Sequence, residues 1–182
     1  MLPGFTDDGL LPPGDYRLTL EQLKQSMLVI GPGASYPDWD VKWRTQLVCS
    51  LEILARQLWQ VGITSPICIG GSFVEDRNHP HDIDGYFYCE DQEFLTGRLE
   101  ERLKQLDPHG AWNWDHRSRT PDARGRMRYP LWHRYRVDLF PNIGQGTGVF
   151  DDAGNERNFF SLMRWSHRVK SLRGVILLGR SR

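Results

Sequence analysis

The sequence lacks the features that would direct it to a membrane, to export or to a P-loop. No apolar run approaches the roughly 18–20 residues that a membrane-spanning helix needs, so no contact with a membrane is expected. The first residues, MLPGFTDDGLLPPGDY, have neither a basic start nor an apolar centre, so a signal peptide is not expected. The expected location is therefore the cytoplasm. The GxxxxGK[ST] pattern of a P-loop is also absent.

Cysteine is scarce and is not arranged in the spacings that bind zinc. The three cysteines, Cys49, Cys68 and Cys89, form no CxxC pair and no Cys/His zinc pattern. They are therefore expected to be small buried hydrophobic side chains in a reducing compartment.

The chain has no net charge, yet its two parts carry opposite charge. Residues 1–110 contain 9 basic and 17 acidic side chains, whereas residues 111–182 contain 14 basic and 6 acidic ones. Arginine dominates the basic part, and its planar guanidinium group suits bidentate contact with phosphate. Two interpretations stay open: the two parts neutralise each other inside one fold, or a basic surface meets a polyanion such as RNA.

The length and composition predict one domain over residues 1–182. At 39% hydrophobic and 25% charged residues, the chain is typical of a globular protein with a core. Residues 1–18, rich in proline and glycine, are expected to form an irregular N-terminal arm.

Helical and extended patterns alternate along the chain, which predicts an α/β or α+β fold. Apolar residues recur at helical spacing over 41–62 and over 91–110, and a Thr19–Gln22 capping box predicts a short helix from Leu20. Strands are expected in SPICIGG, DIDGYFYC and LWHRYRVDLFP, and a polar, arginine-rich loop in RSRTPDARGRMRYP. A last helix is expected in NFFSLMRWSHRVK, and GVILL is expected to be a last strand or a tail.

Two aspartates stand one residue apart in a segment that otherwise looks like a buried strand, HDIDGYFYC. Because residues i and i+2 of a strand point to the same face, Asp82 and Asp84 are expected to lie side by side. Two carboxylates held this close repel each other and lose hydration, so a positive charge is expected between them.

A third carboxylate has a similar setting. Asp138 lies between Val137 and Leu139 in the predicted strand LWHRYRVDLFP, so it also points from a sheet face. If this strand pairs with the one that carries Asp82 and Asp84, the three carboxylates converge. Such an oxygen-rich cluster suits hard divalent cations, and two ions about 4 Å apart serve phosphoryl transfer.

The Gly-Gly-Ser at the end of the first predicted strand supplies a possible phosphate cradle. Gly70 and Gly71 allow close approach of a ligand to the backbone, and the amides that follow, with the Ser72 hydroxyl, can hold a triphosphate. A nucleophile elbow is excluded because position 74 is valine rather than glycine.

This order of motifs resembles the DNA polymerase β-like nucleotidyltransferase superfamily over roughly residues 45–140. By that resemblance, residues 45–140 would form the catalytic core and residues 141–182 a C-terminal extension. The superfamily pattern is a Gly-Ser pair, a spacer, a DxD pair and a third aspartate on a later strand. The matching residues here are Gly71, Ser72, Asp82, Asp84 and Asp138. The sequence looks like an uncharacterised bacterial and phage branch of this superfamily, similar to the minimal nucleotidyltransferases.

The resemblance implies a fold, a cofactor and a reaction. The fold would be a small mixed β-sheet flanked by helices, as in the polymerase β-like palm. Two Mg²⁺ ions, with Mn²⁺ as an alternative, would be held by Asp82, Asp84 and Asp138, and NMP would pass from an NTP to a hydroxyl or phosphate acceptor. The acceptor could be RNA or a tRNA end. Relatives that are toxins, or that work with a partner protein, imply a toxin or phage-defence role.

Two further residues are candidates for nucleotide binding, each with a structural alternative. Arg136 shares the Asp138 face by strand alternation, as does Arg134, and would contact phosphate or pair with the aspartates. Tyr86 shares the Asp84 face and would stack on a nucleobase or simply pack in the core. His79 and His81 would bind metal or belong to a polar turn.

Two rival functions remain from the sequence. A nucleotidyltransferase fold without catalysis could bind nucleotide, RNA or a partner protein. A metal-dependent nuclease could use the same carboxylates, although hydrolysis would need no triphosphate cradle.

Overall fold

The computed structural model describes residues 1–144, 146–151, 153–161 and 172–180. The strands are β1 Asp15–Leu18, β2 Ile67–Gly70, β3 Ile83–Tyr88, β4 Thr120–Pro121, β5 Met127–Arg128, β6 Val137–Asn142 and β7 Val175–Leu178. The α-helices are α1 Leu20–Lys24, α2 Met27–Ile30, α3 Val41–Gln60, α4 Asp91–Leu95, α5 Arg98–Leu106 and α6 Pro130–Tyr135. Short 3-10 helices cover Gly71–Val74, His116–Ser118 and Phe159–Ser161.

Five strands form one mixed sheet in the order β1-β7-β2-β3-β6. The outer pairs β1–β7 and β3–β6 are parallel, and the inner pairs β7–β2 and β2–β3 are antiparallel. Strands β4 and β5 form a separate two-stranded hairpin. The predicted mixed sheet with helices is therefore confirmed.

The main hydrophobic core lies between helix α3 and one face of the sheet. Helix α3 follows the predicted amphipathic pattern, is capped by the Asp40 side chain, and is followed by Gly62 at φ 88°. Alternate residues of β2, β3, β6 and β7 point into this core, for example Ile69, Phe87 and Leu139. The intervening residues of the same strands point to the opposite face, which is where the candidate site lies.

The ends of the chain are more closely integrated than the sequence suggests. The prediction of an irregular arm over residues 1–18 is wrong for Asp15–Leu18, which form β1 and pair with β7. Strand β7 lies inside the sheet between β1 and β2, so residues 141–182 are not an extension beside a complete core. The predicted helix in NFFSLMRWSHRVK lies mostly outside the described residues.

Two local predictions are wrong for identifiable reasons. Gly97 adopts φ 76° and divides the predicted helix over 91–110 into α4 and α5. The segment LWHRYRVDLFP is a strand only from Val137, because its first half forms helix α6 with Pro130 at the first turn. Leu131 and Trp132, which are adjacent, are both buried, as a helix allows and an alternating strand does not.

In the part of the chain that the structure describes, no helix combines the length and the apolar character that crossing a bilayer requires.

Candidate active site

The three aspartates singled out from the sequence meet on the outer face of the sheet. Asp84 of β3 and Asp138 of β6 are partners in the parallel register, and Asp82 directly precedes β3. One carboxylate oxygen from each residue lies within 4.8 Å of those from the other two. Asp82 and Asp138 are only 6% and 5% exposed, and Asp84 is half-buried. The convergence that the sequence predicted therefore follows from pairing of β3 with β6.

Burial and repulsion between neighbouring carboxylates make Asp84 and Asp138 difficult to ionise. Burial, followed by the nearby charges of Asp82 and Asp138, raises the pKa of Asp84 to about 7. Burial also raises the pKa of Asp138 to about 6, although the positive charge of Arg128 opposes the shift. A second cation added to the cluster would favour the ionised forms of both groups.

Arg128, at the end of the β4–β5 hairpin, is a positive charge already present in the cluster. Its Nη1 donates a hydrogen bond to Oδ2 of Asp138 at 3.2 Å, and its Nη2 lies 3.4 Å from Oδ2 of Asp82. Its Nε lies 3.6 Å from Oδ2 of Asp122. The hairpin therefore brings a counter-ion from a segment that the sequence predicts only as an arginine-rich loop.

Among the described residues, a fully buried carboxylate oxygen of the cluster has no hydrogen-bond partner. Trp132 of α6 donates from Nε1 to Oδ2 of Asp82 at 2.7 Å. Oδ1 of Asp138, by contrast, is buried and has no hydrogen-bond partner among the described residues. A buried carboxylate oxygen without a partner is costly, which makes this atom a candidate ligand for a cation.

Both the backbone conformation at position 71 and the lack of space beside the Asp84 carboxylate require glycine at this position. It opens the 3-10 helix Gly71–Val74 with φ 67°, which disfavours other residues. A Cβ atom at this position would collide with the Asp84 side chain. The half-buried Ser72 follows directly, so the predicted Gly71–Ser72 cradle does adjoin the carboxylates.

A buried arginine holds the segment after this cradle in place. Arg44 of α3 donates hydrogen bonds to the carbonyl oxygens of Leu28, Phe73 and Arg77 at 2.6, 2.9 and 2.6 Å. Its Cζ lies 3.8 Å from the centre of the Trp39 ring. Arg44 is fully buried, so it acts as a structural clamp rather than as a ligand-binding group.

A second buried arginine connects the last strand to the same segment. Arg173 pairs with the carboxylate of Glu75, and its Nε donates to the carbonyl oxygen of Phe160 at 2.8 Å. Its Nη1 lies 3.5 Å from the carbonyl oxygen of Gly71. The segment that begins at Gly71 is thus held by two arginines, Arg44 from an earlier part of the sequence and Arg173 from a later one.

The two other residues predicted to bind nucleotide have different outcomes, because Tyr86 lies on the Asp84 face as strand alternation predicts, whereas Arg136 is not part of a strand. Tyr86 is 5% exposed, stacks on Phe160 with ring centres 5.8 Å apart, and donates its hydroxyl to Asn158, so its ring is packed. Arg136 precedes β6 and is the helix-terminating residue of α6, so the alternation argument for it is wrong. It nevertheless lies near the cluster, because its Cζ is 4.0 Å from the centre of the Trp132 ring.

The remaining candidates from the sequence lie outside the carboxylate cluster. Arg134 contacts Nε2 of His109 at 2.8 Å rather than the aspartates. His79 stacks on Trp43 and lies 2.9 Å from Asp40, as part of a polar turn. His81 is exposed beside Asp82 and does not belong to the group of three aspartates that could hold a cation.

Sequence reasoning missed Arg128 and Trp132. Nothing in their local pattern indicates contact with a carboxylate 46 to 50 positions earlier. The one available signal is TPDARGRMR, in which Asp122 and Gly125 are typical of a tight turn between two short strands. A hairpin there would have grouped Arg124, Arg126 and Arg128.

Comparisons with known proteins give a family without a function. Neither the curated proteins nor the solved structures contain a significant match. A family model described as a family of unknown function, DUF6932, matches residues 3–178, which is nearly all of the 182 residues. The chain therefore belongs to the DUF6932 family.

Proposed function

We propose that the protein is a divalent-cation-dependent nucleotidyltransferase that moves NMP from an NTP to a hydroxyl or phosphate acceptor. The observation that carries this proposal is the convergence of Asp82, Asp84 and Asp138 beside a glycine-serine strand end. The mixed sheet, with these residues on adjacent strands, supports a polymerase β-like palm fold.

The residues of the cluster fit hard divalent cations. All of the candidate ligands are carboxylate oxygens, which Mg²⁺ and Mn²⁺ prefer. The buried Oδ1 of Asp138 has no hydrogen-bond partner among the described residues. Burial, followed by repulsion from the neighbouring carboxylates, raises the pKa values of Asp84 and Asp138, and a bound cation would favour their ionised forms. Asp82 and Asp84 would hold both ions, and Asp138 would complete the site.

When bound, such ions would neutralise charge on the phosphates and favour ionisation of the attacking oxygen. The chain's own residues would orient the two substrates. The amides after Gly71 and the Ser72 hydroxyl would bind the triphosphate, leaving its α-phosphorus beside Asp84. Asp138 would complete the set of carboxylates that hold the ions and would help to place the acceptor oxygen for attack, and the acceptor's proton would pass to solvent. Pyrophosphate would leave towards the Gly71–Ser72 cradle.

The acceptor in this proposal is RNA, for which the basic part of the chain provides the support. Residues 111–182 carry 14 basic and 6 acidic side chains, and several of the arginines lie on the hairpin beside the cluster. Counter-ion release on binding a polyanion would favour such a partner. Cytoplasmic toxin or phage-defence activity, with a partner protein as regulator, is the corresponding biological role.

The ion pairs of Arg128 favour one alternative function. A guanidinium that contacts both Asp82 and Asp138 could fill the site permanently, as in a catalytically silent module that binds nucleotide, RNA or a partner protein. In that case the three carboxylates would serve to hold the arginine hairpin rather than a cation.

Transfer of label distinguishes the two functions. The pure protein is incubated with Mg²⁺, each of the four α-³²P-labelled NTPs in turn, and tRNA, total RNA or protein extract. We expect label in one acceptor pool from the α-labelled NTP and none from the same NTP labelled at the γ-phosphate. Asp84→Asn and Asp138→Asn, which preserve side-chain shape, should each reduce transfer at least about 100-fold.

The control is Asp7→Asn, at an exposed position in the N-terminal segment, which should transfer label at the wild-type rate. Transfer that persists in Asp84→Asn would place the chemistry elsewhere. Binding of Mg²⁺ and NTP without transfer to any pool would support the silent module, and cleavage of RNA without added NTP would support a nuclease.

A further inference from the structure

A strongly basic cavity adjoins the carboxylate cluster, to which its lining residues Arg128 and Trp132 are bonded. Its volume is about 260 Å³, and its walls come from the β4–β5 hairpin, helix α6 and His81. Four arginines contribute to its lining: Arg124, Arg126, Arg128 and Arg136. Arg128 alone contacts the neighbouring carboxylates, so the other three guanidinium groups are not needed to neutralise them.

The acidic residue in the lining does not neutralise these arginines. Oδ1 of Asp122 accepts hydrogen bonds from the backbone N–H groups of Arg124 and Arg126 at 2.8 and 2.9 Å, which shapes the hairpin turn. Its Oδ2 faces Arg128. The side chains of Arg124, Arg126 and Arg136 form no ion pair with any residue that the structure describes. The cavity therefore has an excess of positive charge.

Backbone strain marks the same wall. Arg136 ends helix α6 with φ 55°, and among the described residues it is the only one other than glycine with a positive φ. Glycine or asparagine is usual at such a position because a Cβ atom is disfavoured there. Arginine at this position lies against the Trp132 ring, with Arg128 near the same ring at 4.8 Å. Strain that brings a cation to a cavity is typical of a ligand site.

We propose that this cavity is a phosphate subsite for the acceptor, so that the acceptor carries a phosphate ester close to its attacking group. The inference rests on the proposed function and specifies its substrate class. Gly71 and Ser72 adjoin Asp84, whereas the cavity adjoins Asp82 and Asp138 through Arg128 and Trp132. Two anion-binding regions thus flank the carboxylates, one for each substrate.

The cavity, at about 260 Å³, has room for the phosphate group of an acceptor. The remainder of the acceptor would lie outside the cavity, along the exposed surface of the hairpin. The guanidinium groups suit bidentate contacts to the phosphate oxygens.

Binding of AMP and adenosine without metal or NTP tests the subsite directly. Calorimetry in EDTA should show AMP binding at least tenfold more tightly than adenosine, because only AMP carries the phosphate. Arg136→Gly removes the guanidinium while suiting the backbone conformation, and Arg124→Gln removes a second one from an exposed position. Each should weaken AMP binding at least fivefold. Arg98→Gln, at an exposed arginine of α5, should leave it unchanged.

Equal binding of AMP and adenosine, or unchanged AMP binding in both Arg136→Gly and Arg124→Gln, would overturn the subsite. A short RNA with a 5′-phosphate separates the two sources of the same group. If it binds more tightly than AMP and loses affinity without its phosphate, the acceptor is RNA. If its phosphate-dependent affinity equals that of AMP, the acceptor is a nucleotide-sized phosphate ester.

The subsite and the proposed function can fail separately. Asp84→Asn should abolish label transfer while leaving the AMP affinity at least as high as in the wild type. Arginine-dependent AMP binding in a protein that transfers no label would retain the subsite and reject the transferase. Label transfer without arginine-dependent phosphate binding would retain the transferase and reject the subsite.

Discussion

Arg128 donates a hydrogen bond to Asp138 at 3.2 Å, and this contact brings a counter-ion from the hairpin to the centre of the carboxylate cluster. The same guanidinium lies 3.4 Å from Asp82. A cation that occupies this position would have to replace Arg128 or share its carboxylates. The positive charge that the sequence indicates between the aspartates is, in this structure, an arginine, and competition between it and a metal is the first consequence to test.

Arg128→Gln should bind Mn²⁺ about tenfold more tightly than the wild type, because a competing positive charge has been removed. Without metal, the variant should be less stable, since the buried Asp82 and Asp138 lose their counter-ion. Titration calorimetry measures the first effect and urea denaturation the second. Arg98→Gln is the control for both. Weaker Mn²⁺ binding in Arg128→Gln would show that the arginine supports the site rather than competing for it.

Asp84→Asn should stabilise the metal-free protein at pH 8 and have little effect at pH 4. The folded-state pKa of Asp84, about 7, lies above its ordinary value, so the folded protein binds more protons and loses stability as the pH rises between these values. Replacing the carboxylate removes that loss, which should be worth about 4 kcal/mol at pH 8, since the pKa is raised by roughly three units. Urea denaturation at the two pH values measures it, with Asp7→Asn as control. Equal destabilisation at both pH values would contradict this account.

Gly71→Ala should cost about 2–4 kcal/mol of unfolding free energy, from backbone strain together with a collision against Asp84. Gly110→Ala is the matched control, because Gly110 has φ 61° and open space where a Cβ would be placed. It should therefore cost only the backbone part, about 1–2 kcal/mol. Thermal and urea denaturation compare the two. If both variants lose the same stability, Gly71 is selected by backbone conformation alone.

Arg44→Met should cost about 3 kcal/mol or more, because it leaves the buried carbonyl oxygens of Leu28 and Phe73 without their donor. Arg56→Met, on the same helix, removes only an exposed pair with Glu52 and should cost less than about 1 kcal/mol. Urea denaturation gives both values. A small effect at Arg44 would mean that water replaces the lost hydrogen bonds.

The parts of the site that lie on regular strands could be predicted from the sequence. Asp82, Asp84 and Asp138 are polar residues in otherwise apolar runs, and the alternation of a strand places each of them on a defined face. The prediction for Asp138 was correct even though the first half of its segment is helical, because Val137 and Leu139 alone determine the local face. The position of Gly71 beside Asp84 was also predictable, because the glycines mark the end of β2.

The remainder depends on contacts between distant segments, which local patterns do not specify. Strand β7 lies between β1 and β2 only because Ile176 and Leu178 fill the core opposite residues more than a hundred positions earlier. Arg128 reaches the carboxylates through a hairpin whose two strands have only two residues each. Arg136 was placed on the wrong element because the alternation of Trp132, Arg134 and Arg136 is equally compatible with a short helix.

The measurement that tests the central claim most directly is Mn²⁺ binding followed by the electron paramagnetic resonance signal of the free ion. The titration is run with the wild type, Asp84→Asn and Asp138→Asn, each with and without a non-hydrolysable NTP analogue. Our account predicts saturable binding that is tightened by the analogue and weakened at least tenfold in both variants. Wild-type titrations that coincide with those of the variants, with and without the analogue, would contradict a cation site at Asp82, Asp84 and Asp138, and the proposed transferase with it.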